Sequence, residues 1–310
     1  MLNRRHLRVK VLQSLYAFFQ SDNSELTSGE KELLFSIEKV YELYLYQLLL
    51  LSELVFEEER IIEENLAKQL PAYEDLNPNR RFTENKFLRM IASNRKLHAL
   101  CHGKKISWQN ERELLRKLML QIRKQGFYQE YLECSDESFN ADTAFVFKLL
   151  YKSILPFEPL HSFYEEKSIY WLVDWELVNK MLIKTLKTAQ EAGSEPELMD
   201  LYKDPSDKDF ALGLFRQTII NHSEFNGIIS AKTKNWDTER IAMMDMIIMQ
   251  MAVTEILKFQ EIPVKVSLNE YIELSKMYST PKSRMFVNGV LDKLVEDFIR
   301  DEKISGHTAR

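Results

Sequence analysis

The sequence predicts an all-α chain, and three observations carry that reading. Glycine and proline number only 8 each in 310 residues, well below the usual share of about 7% and 5%, so the residues that punctuate sheets, hairpins and phosphate loops are scarce. Apolar residues recur at three- and four-residue spacing through most of the chain, the period of a helix face. The breaks between these stretches are short polar segments or prolines.

Residues 5–20 read as a helix with Val9, Leu12, Tyr16 and Phe19 on one face, ended by "SDNSELTSGE". Residues 30–70 read as one long amphipathic helix or a pair, with Leu33, Ile37, Val40, Tyr44, Leu48, Leu51 and Val55 inward, stopped at Pro71. Helical patterns follow at 82–101, 108–124 and 142–155, then a short helix after "LPFEPL" and another at 175–191. The acidic stretch 191–209, with Gly193, Pro196 and Pro205, reads as a linker. Beyond it lie helices at 207–231, 238–260, 264–278 and 281–300, with Pro263 separating the middle two. A shift of 65 residues superposes Phe145 on Phe210, Leu160 on Phe225, Trp171 on Trp236 and Asp174 on Glu239. Duplication of a helical hairpin and chance agreement both remain open.

Hydrophobic residues at 45% against 29% charged give a soluble globular balance. The net charge of −5 makes no global case for nucleic acid, so that case rests on where charges sit. Two cysteines, Cys101 and Cys134, build no disulfide framework and read as reduced thiols. The start "MLNRRHLRVK" lacks an apolar core and a small-residue cleavage site, so it is not a signal peptide. The run "LYLYQLLLL" is too short to span a bilayer. A cytoplasmic protein without membrane association is expected, and the sequon at Asn221 then carries no weight.

No catalytic apparatus is visible: there is no Gly-rich phosphate loop, G-x-S-x-G elbow, H-E-x-x-H or paired C-x-x-C. Within "HALCH", His98, Cys101 and His102 share a helix face at ligand-like spacing, yet three such residues without a partner motif fit a partly exposed face better than a metal site. No metal, no cofactor and no enzymatic activity are expected.

The charges are more informative. Arg4, Arg5, Arg8 and Lys10 stand against Asp22 alone in residues 1–22. They lie at a helix start, where the macrodipole disfavours cations by about 0.3–1 kcal/mol each, a penalty that an anionic partner reverses. Tyr16 lies further along as a stacking platform. Residues 80–105 hold eight cations against Glu84, and residues 53–64 hold six glutamates against Arg60. The two blocks either pair internally or leave the basic one for RNA.

In "STPKSRMFVNGVLDKL", Thr280 and Pro281 read as N-cap and first helical residue. Val287, Val290, Leu291, Leu294 and Phe298 form the inward face, while Phe286 lies about 100° away, beside Lys282 and Lys293. Phe286 is either a rim residue on a neighbouring helix or a base-stacking aromatic flanked by ammonium groups. Gly289, costly mid-helix, is expected where another backbone approaches closely.

Residues 3–22, the helix 207–231, and 235–294 together resemble the NusB transcription-antitermination family. The run from Ile262-Pro263 through Asn269-Glu270 and Glu273 to Phe286-Val287-Asn288-Gly289-Val290-Leu291-Asp292 carries most of the resemblance. It implies a NusB-like helical bundle, 1–22 plus 206–302, enlarged by a helical insertion, 23–205, of undetermined role, with a flexible tail at 303–310.

The resemblance further implies a non-enzymatic RNA-binding factor for transcription antitermination and rRNA biogenesis. Such a factor grips a boxA-type single-stranded RNA together with the small-subunit ribosomal protein known as NusE, within the RNA polymerase elongation complex. By position, Arg4, Arg5, His6, Arg8 and Lys10 fall on the family's arginine-rich segment, and Lys282, Ser283 and Phe286 on its second RNA-contacting element. Glu239 and Asp245 fall where the family faces its ribosomal partner. Met246 and Gln250 replace arginines the family often carries. A protein-only helical adaptor with a decayed RNA surface is the alternative, and fusion to a methyltransferase is disfavoured because no cofactor loop is present.

Overall fold

The structure, a computed structural model, describes residues 2–21, 25–189, 196–233 and 241–304. Its regular elements there are helices, apart from one isolated parallel bridge between Leu2 and Tyr202. In chain order they are α1 (Arg4–Gln20), α2 (Leu26–Leu66), α3 (Tyr73–Leu76), α4 (Lys86–Ala92), α5 (Arg95–Gly103), α6 (Arg112–Arg123), α7 (Gly126–Glu133) and α8 (Phe139–Leu149). Then follow α9 (Glu158–Lys167), α10 (Trp175–Leu186), α11 (Asp207–Ile220), α12 (His222–Lys232), α13 (Met243–Lys258), α14 (Val264–Tyr278) and α15 (Pro281–Arg300). The chain divides into two compact units, residues 1–37 with 201–310 and residues 38–200.

In the first unit α13 is central, packing against α1, α11, α12, α14 and α15. Its sequence "MMDMIIMQMAVTEILK" is apolar nearly all round, and a helix of that kind has no face to give to water. Thr280 caps α15 through the Ser283 amide and Pro281 takes its first turn. Val287, Val290, Leu291, Leu294 and Phe298 are buried, each contributing about 1.5–3 kcal/mol of burial free energy. α14 and α15 keep the limits the sequence indicated. The stretch 207–231 differs, because it breaks at Asn221 into α11 and α12.

The inward face of α1 also differs from the sequence reading. Leu7, Val11, Leu12 and Leu15 are buried, and Tyr16 is exposed. The stripe Leu7-Val11-Leu15, at four-residue spacing, offers a longer apolar row than Val9-Tyr16 and wins the core. Gly289 is another correction, since a Cβ there would meet no heavy atom within 4 Å. The close approach occurs at Gly29, where a Cβ would lie 2.8 Å from both Phe18 and Phe215.

The second unit is organised on the part of the 41-residue α2 that follows residue 37, where Val40, Tyr44, Leu48, Leu51 and Val55 of the predicted stripe are buried; Leu33 and Ile37, buried too, belong to the first unit. Indole nitrogens of Trp108 and Trp171 donate to the α2 carbonyls of Tyr46 (3.2 Å) and Lys39 (2.8 Å). The predicted helix 82–101 is two, α4 and α5, because Asn94 caps the second through the Leu97 amide.

The 65-residue repeat extends to geometry. Shifted by 65, α9 falls on α12, and Asp142 falls on Asp207; both aspartates are buried at the start of a helix. Each is faced by an arginine at 3.5 Å, Arg81 and Arg4 respectively. Each guanidinium lies over an aromatic ring, Arg81 over Tyr131 at 4.6 Å and Arg4 over Phe210 at 4.9 Å. The arginines and rings do not correspond under the same shift, since Arg81 falls on Val146 and Tyr131 on Pro196, so these contacts do not decide between duplication and chance. Trp236 and Glu239 lie outside the described residues.

Candidate nucleic-acid interface

Two ends of one helix pair hold the residues in question. Arg5 donates twice to Glu270 (2.9 and 2.6 Å), and Gln13 donates to the Tyr278 hydroxyl at 3.0 Å. Both pairs span 265 positions, so α1 and α14 run side by side in the same direction. Arg4, Arg5 and His6 lie at one end, and Tyr16 lies about 16 Å further along at 1.5 Å rise per residue, near where α14 gives way to α15.

At the first end the Asn3 side chain accepts from the His6 amide, and His6 Nδ1 accepts in return from the Asn3 amide. This reciprocal cap fixes Arg4 and Arg5 in the first turn. They border a cleft of about 620 Å³ together with Lys203, Ser206 and Val266. The anionic partners that relieve the helix-start penalty are internal, namely Asp207 for Arg4, Glu270 for Arg5 and Glu255 for Arg8.

Arg8 is therefore not a surface cation. It is 2% exposed and donates to Glu255 at 2.8 Å and 2.6 Å. Glu255 also accepts from Ser267 (2.6 Å) and Tyr271 (2.9 Å), so four donors surround one buried carboxylate. Burial disfavours the Arg8 charge, and the bonds to Glu255 more than offset it, raising its pKa. Lys10 is likewise buried. The sequence reading grouped both with the exposed arginines; the positions of Arg8, Leu12 and Leu15 on one face were the signal that places Arg8 inward. Glu255, Ser267, Tyr271 and Asp207 were missed, although Ser267 and Tyr271 at i and i+4 mark one polar face of α14.

At the second end Tyr16 is 38% exposed. On α15, Lys282, Phe286, Gly289 and Lys293 fall within a narrow arc, opposite the buried stripe's edge. Lys282, Gly289 and Lys293 are exposed and Phe286 is half-buried. Open space over Gly289 lets a ligand reach the helix backbone between the two lysines. Ser283 holds its amide on Thr280 at 3.2 Å and its hydroxyl accepts from Thr280 at 3.0 Å. Arg284, half-exposed on the same turn, was not singled out by the sequence.

Two further positions depart from expectation. Asp245 is buried and accepts from the Ser279 hydroxyl, so its carboxylate ties α13 to the end of α14. Gln250 is fully buried between His222 (3.2 Å) and Asn226 (3.3 Å), an internal site where a neutral amide finds both partners. Glu239 lies outside the described residues.

In the second unit the basic block divides. Arg89 pairs with Glu59, Lys104 with Glu38 at 2.6 Å, and Arg81 with Asp142. The acidic run is otherwise answered by α6, where Arg112 and Arg116 reach Glu64 at 2.8 and 2.7 Å and also face Glu57. Burial pushes the Cys101 thiol up to about 12, which suits a small core residue rather than a ligand. Among the described residues no group of three or more His, Cys, Asp or Glu is placed to hold a metal ion.

Fold and site together define an all-α bundle protein whose exposed cations and aromatics gather on helix faces. The NusB family model matches residues 166–296. A transcription antitermination protein NusB of Salinibacter ruber is 42% identical over 125 residues, 38% of this chain and 78% of the relative. Proteins of the same name from Chloroherpeton thalassium and Clostridium botulinum are 40% and 39% identical, over 44% and 79% of their lengths. The chain belongs to the NusB family, and at 310 residues it carries helices beyond the family region. No solved structure matches it. No helix among the described residues is long and apolar enough to cross a membrane.

Proposed function

We propose that this protein is a non-enzymatic RNA-binding factor of transcription antitermination and rRNA biogenesis. It holds a boxA-type single-stranded RNA together with the small-subunit ribosomal protein that acts as NusE, within the RNA polymerase elongation complex. The observation that carries this reading is 42% identity over 78% of a protein named for antitermination. The α15 face supports it: two exposed lysines flank an aromatic and an open glycine, a platform for a stacked base and its phosphates.

In this reading Arg4, Arg5, His6, Tyr16, Lys282, Ser283 and Phe286 contact RNA. Arg8 acts as a positioning residue, holding α1 on α13 and α14 through Glu255. The proposed bundle is residues 1–22 with 206–302 and the proposed added helical region 23–205, of which 166–205 fall inside the family-model match. Residues 1–22 lie outside the family-model match, so the α1 contacts rest on their pattern and geometry. The reading also places the protein in the cytoplasm.

The test is a titration of boxA-containing and scrambled RNA at several salt concentrations, with and without the ribosomal partner. Selective binding that weakens with salt and strengthens with the partner is the expected result. Equal binding to both RNAs sinks boxA recognition. Partner capture with no response to RNA favours the protein-only adaptor, which the internal neutralisation of Arg4, Arg5 and Arg8 supports.

A further inference from the structure

We infer that the outward face of α5, in the second unit, is an additional contact surface for the phosphate backbone of single-stranded RNA. The inference rests on the RNA-binding reading above. Leu97 and Cys101 bury one side of this helix. The opposite side carries Arg95, Lys96, His98, Ala99, His102 and Gly103, all exposed, and exposed Lys105 follows immediately. Acidic residues are absent from that face.

Clustering is what sets α5 apart, because exposed cations in no ion pair elsewhere in its unit, such as Arg80 and Lys124, do not gather on one such face. Arg81, Arg89 and Lys104 are each matched by a carboxylate, and Lys86 donates to the Glu137 carbonyl at 2.9 Å. Among the described residues no ion pair involves Arg95, Lys96 or Lys105. His98 is different: it bonds the Ala92 carbonyl at 2.7 Å and lies near Glu53, so it is not counted among the uncompensated charges. In a chain of net charge −5, three exposed cations at the two ends of one short helix, in no ion pair, match a polyanion.

Shape agrees with charge. Ala99 and Gly103 run down the middle of the face, and a Cβ at Gly103 would meet nothing within 4 Å. A sugar-phosphate strand can therefore lie close against the helix, with Arg95 and Lys96 at one end and Lys105 at the other. Asn94 fixes that start by accepting from the Leu97 amide at 2.8 Å, so the cations are held on a rigid element.

Removing the whole segment is no test, because Phe82, Phe87, Leu88, Ile91 and Leu97 are core residues. The full-length triple variant Arg95→Ala/Lys96→Ala/Lys105→Ala touches none of them. Its binding to poly(U) is compared with that of the unaltered chain between about 50 and 200 mM salt. A second variant, Lys117→Ala/Lys180→Ala, removes two exposed lysines that have carboxylate partners at 2.9 and 2.6 Å. Both variants are first shown to melt like the parent.

The expected result is a log–log salt slope shallower by about 2 for the triple variant, from about 0.7 per phosphate contact, with the lysine pair unchanged. A triple variant with the parent's slope and affinity overturns the α5 surface and leaves the RNA-binding reading standing. Equal losses in both variants show non-specific charge and also overturn it. A parent chain that binds boxA-containing RNA but not poly(U) also overturns the α5 surface, and one that binds neither at any salt ends both readings together.

Discussion

Arg8 and Glu255 meet as a buried two-pronged pair, Nε to Oε2 at 2.8 Å and Nη2 to Oε1 at 2.6 Å. The pair fastens α1 to α13, and through Ser267 and Tyr271 it reaches α14 as well. Replacing Arg8 by Ala leaves Glu255 without its counter-charge at a site closed to water. Loss of about 3–5 kcal/mol in urea unfolding is expected. Arg8→Lys recovers only part of it, since an ammonium group does not reproduce the parallel fork. A variant that unfolds at the parent's urea midpoint would show that the pair is not what holds α1. RNA-binding loss in Arg8→Ala is accordingly a folding effect to be separated by a melt.

Two carboxylates give opposite responses to pH. The hydrogen bond from Arg5 lowers the pKa of Glu270 below its ordinary 4.5. Its stabilising contribution is therefore present above about pH 4.5 and lost as pH falls through the folded value. Burial raises that of Glu58, whose Oε2 finds no hydrogen-bond partner. Its ionised form opposes folding, so the contribution is favourable below its ordinary range and lost as pH rises through the folded value. Urea midpoints of Glu270→Gln and Glu58→Gln relative to the parent should converge at low pH for the first. For the second, the variant should gain on the parent toward neutral pH. Parallel curves in either case refute the corresponding assignment.

Two glycines separate packing from propensity. Gly29→Ala places a Cβ 2.8 Å from the Phe18 and Phe215 rings, which already meet edge to face at 5.8 Å, so destabilisation of about 1–3 kcal/mol is expected. Gly289→Ala enters open space mid-helix and should stabilise by about 1 kcal/mol. If RNA lies against α15, the same substitution weakens RNA binding while raising the melting temperature. Unchanged RNA binding would remove Gly289 from the interface.

The contrast between these sites shows what was legible in the sequence. Helices α14 and α15 were readable to the residue because Pro263 and Thr280-Pro281 punctuate them and their stripes are uninterrupted. The break at Asn221 was not, since no proline or glycine marks it and the apolar period continues into α12. Arg8 was misplaced because charge was weighed over periodicity, yet its spacing to Leu12 and Leu15 assigned it to the core face. Glu255 and Asp207, far along the chain, carry no local sign that they answer Arg8 and Arg4. The partners of the acidic run were hidden for the same reason, as Arg112, Arg116 and Arg123 lie outside the basic block that drew attention.

Arg5 offers the sharpest separation of a structural cation from an RNA contact. Its side chain is 56% exposed, yet both its bonds go to Glu270, so part of its charge is already spent. Glu270→Ala releases that guanidinium and removes an anion from the rim of the 620 Å³ cleft. If Arg5 meets phosphate, RNA affinity at low salt rises in Glu270→Ala even though the acid-sensitive part of its stability is lost, and the gain disappears in Arg5→Ala/Glu270→Ala. A purely structural Arg5 gives no such difference, with the single and double variants binding RNA equally. Comparing the two variants at one temperature well below both melts keeps the outcomes distinct, because folding then limits neither measurement and only the freed charge differs.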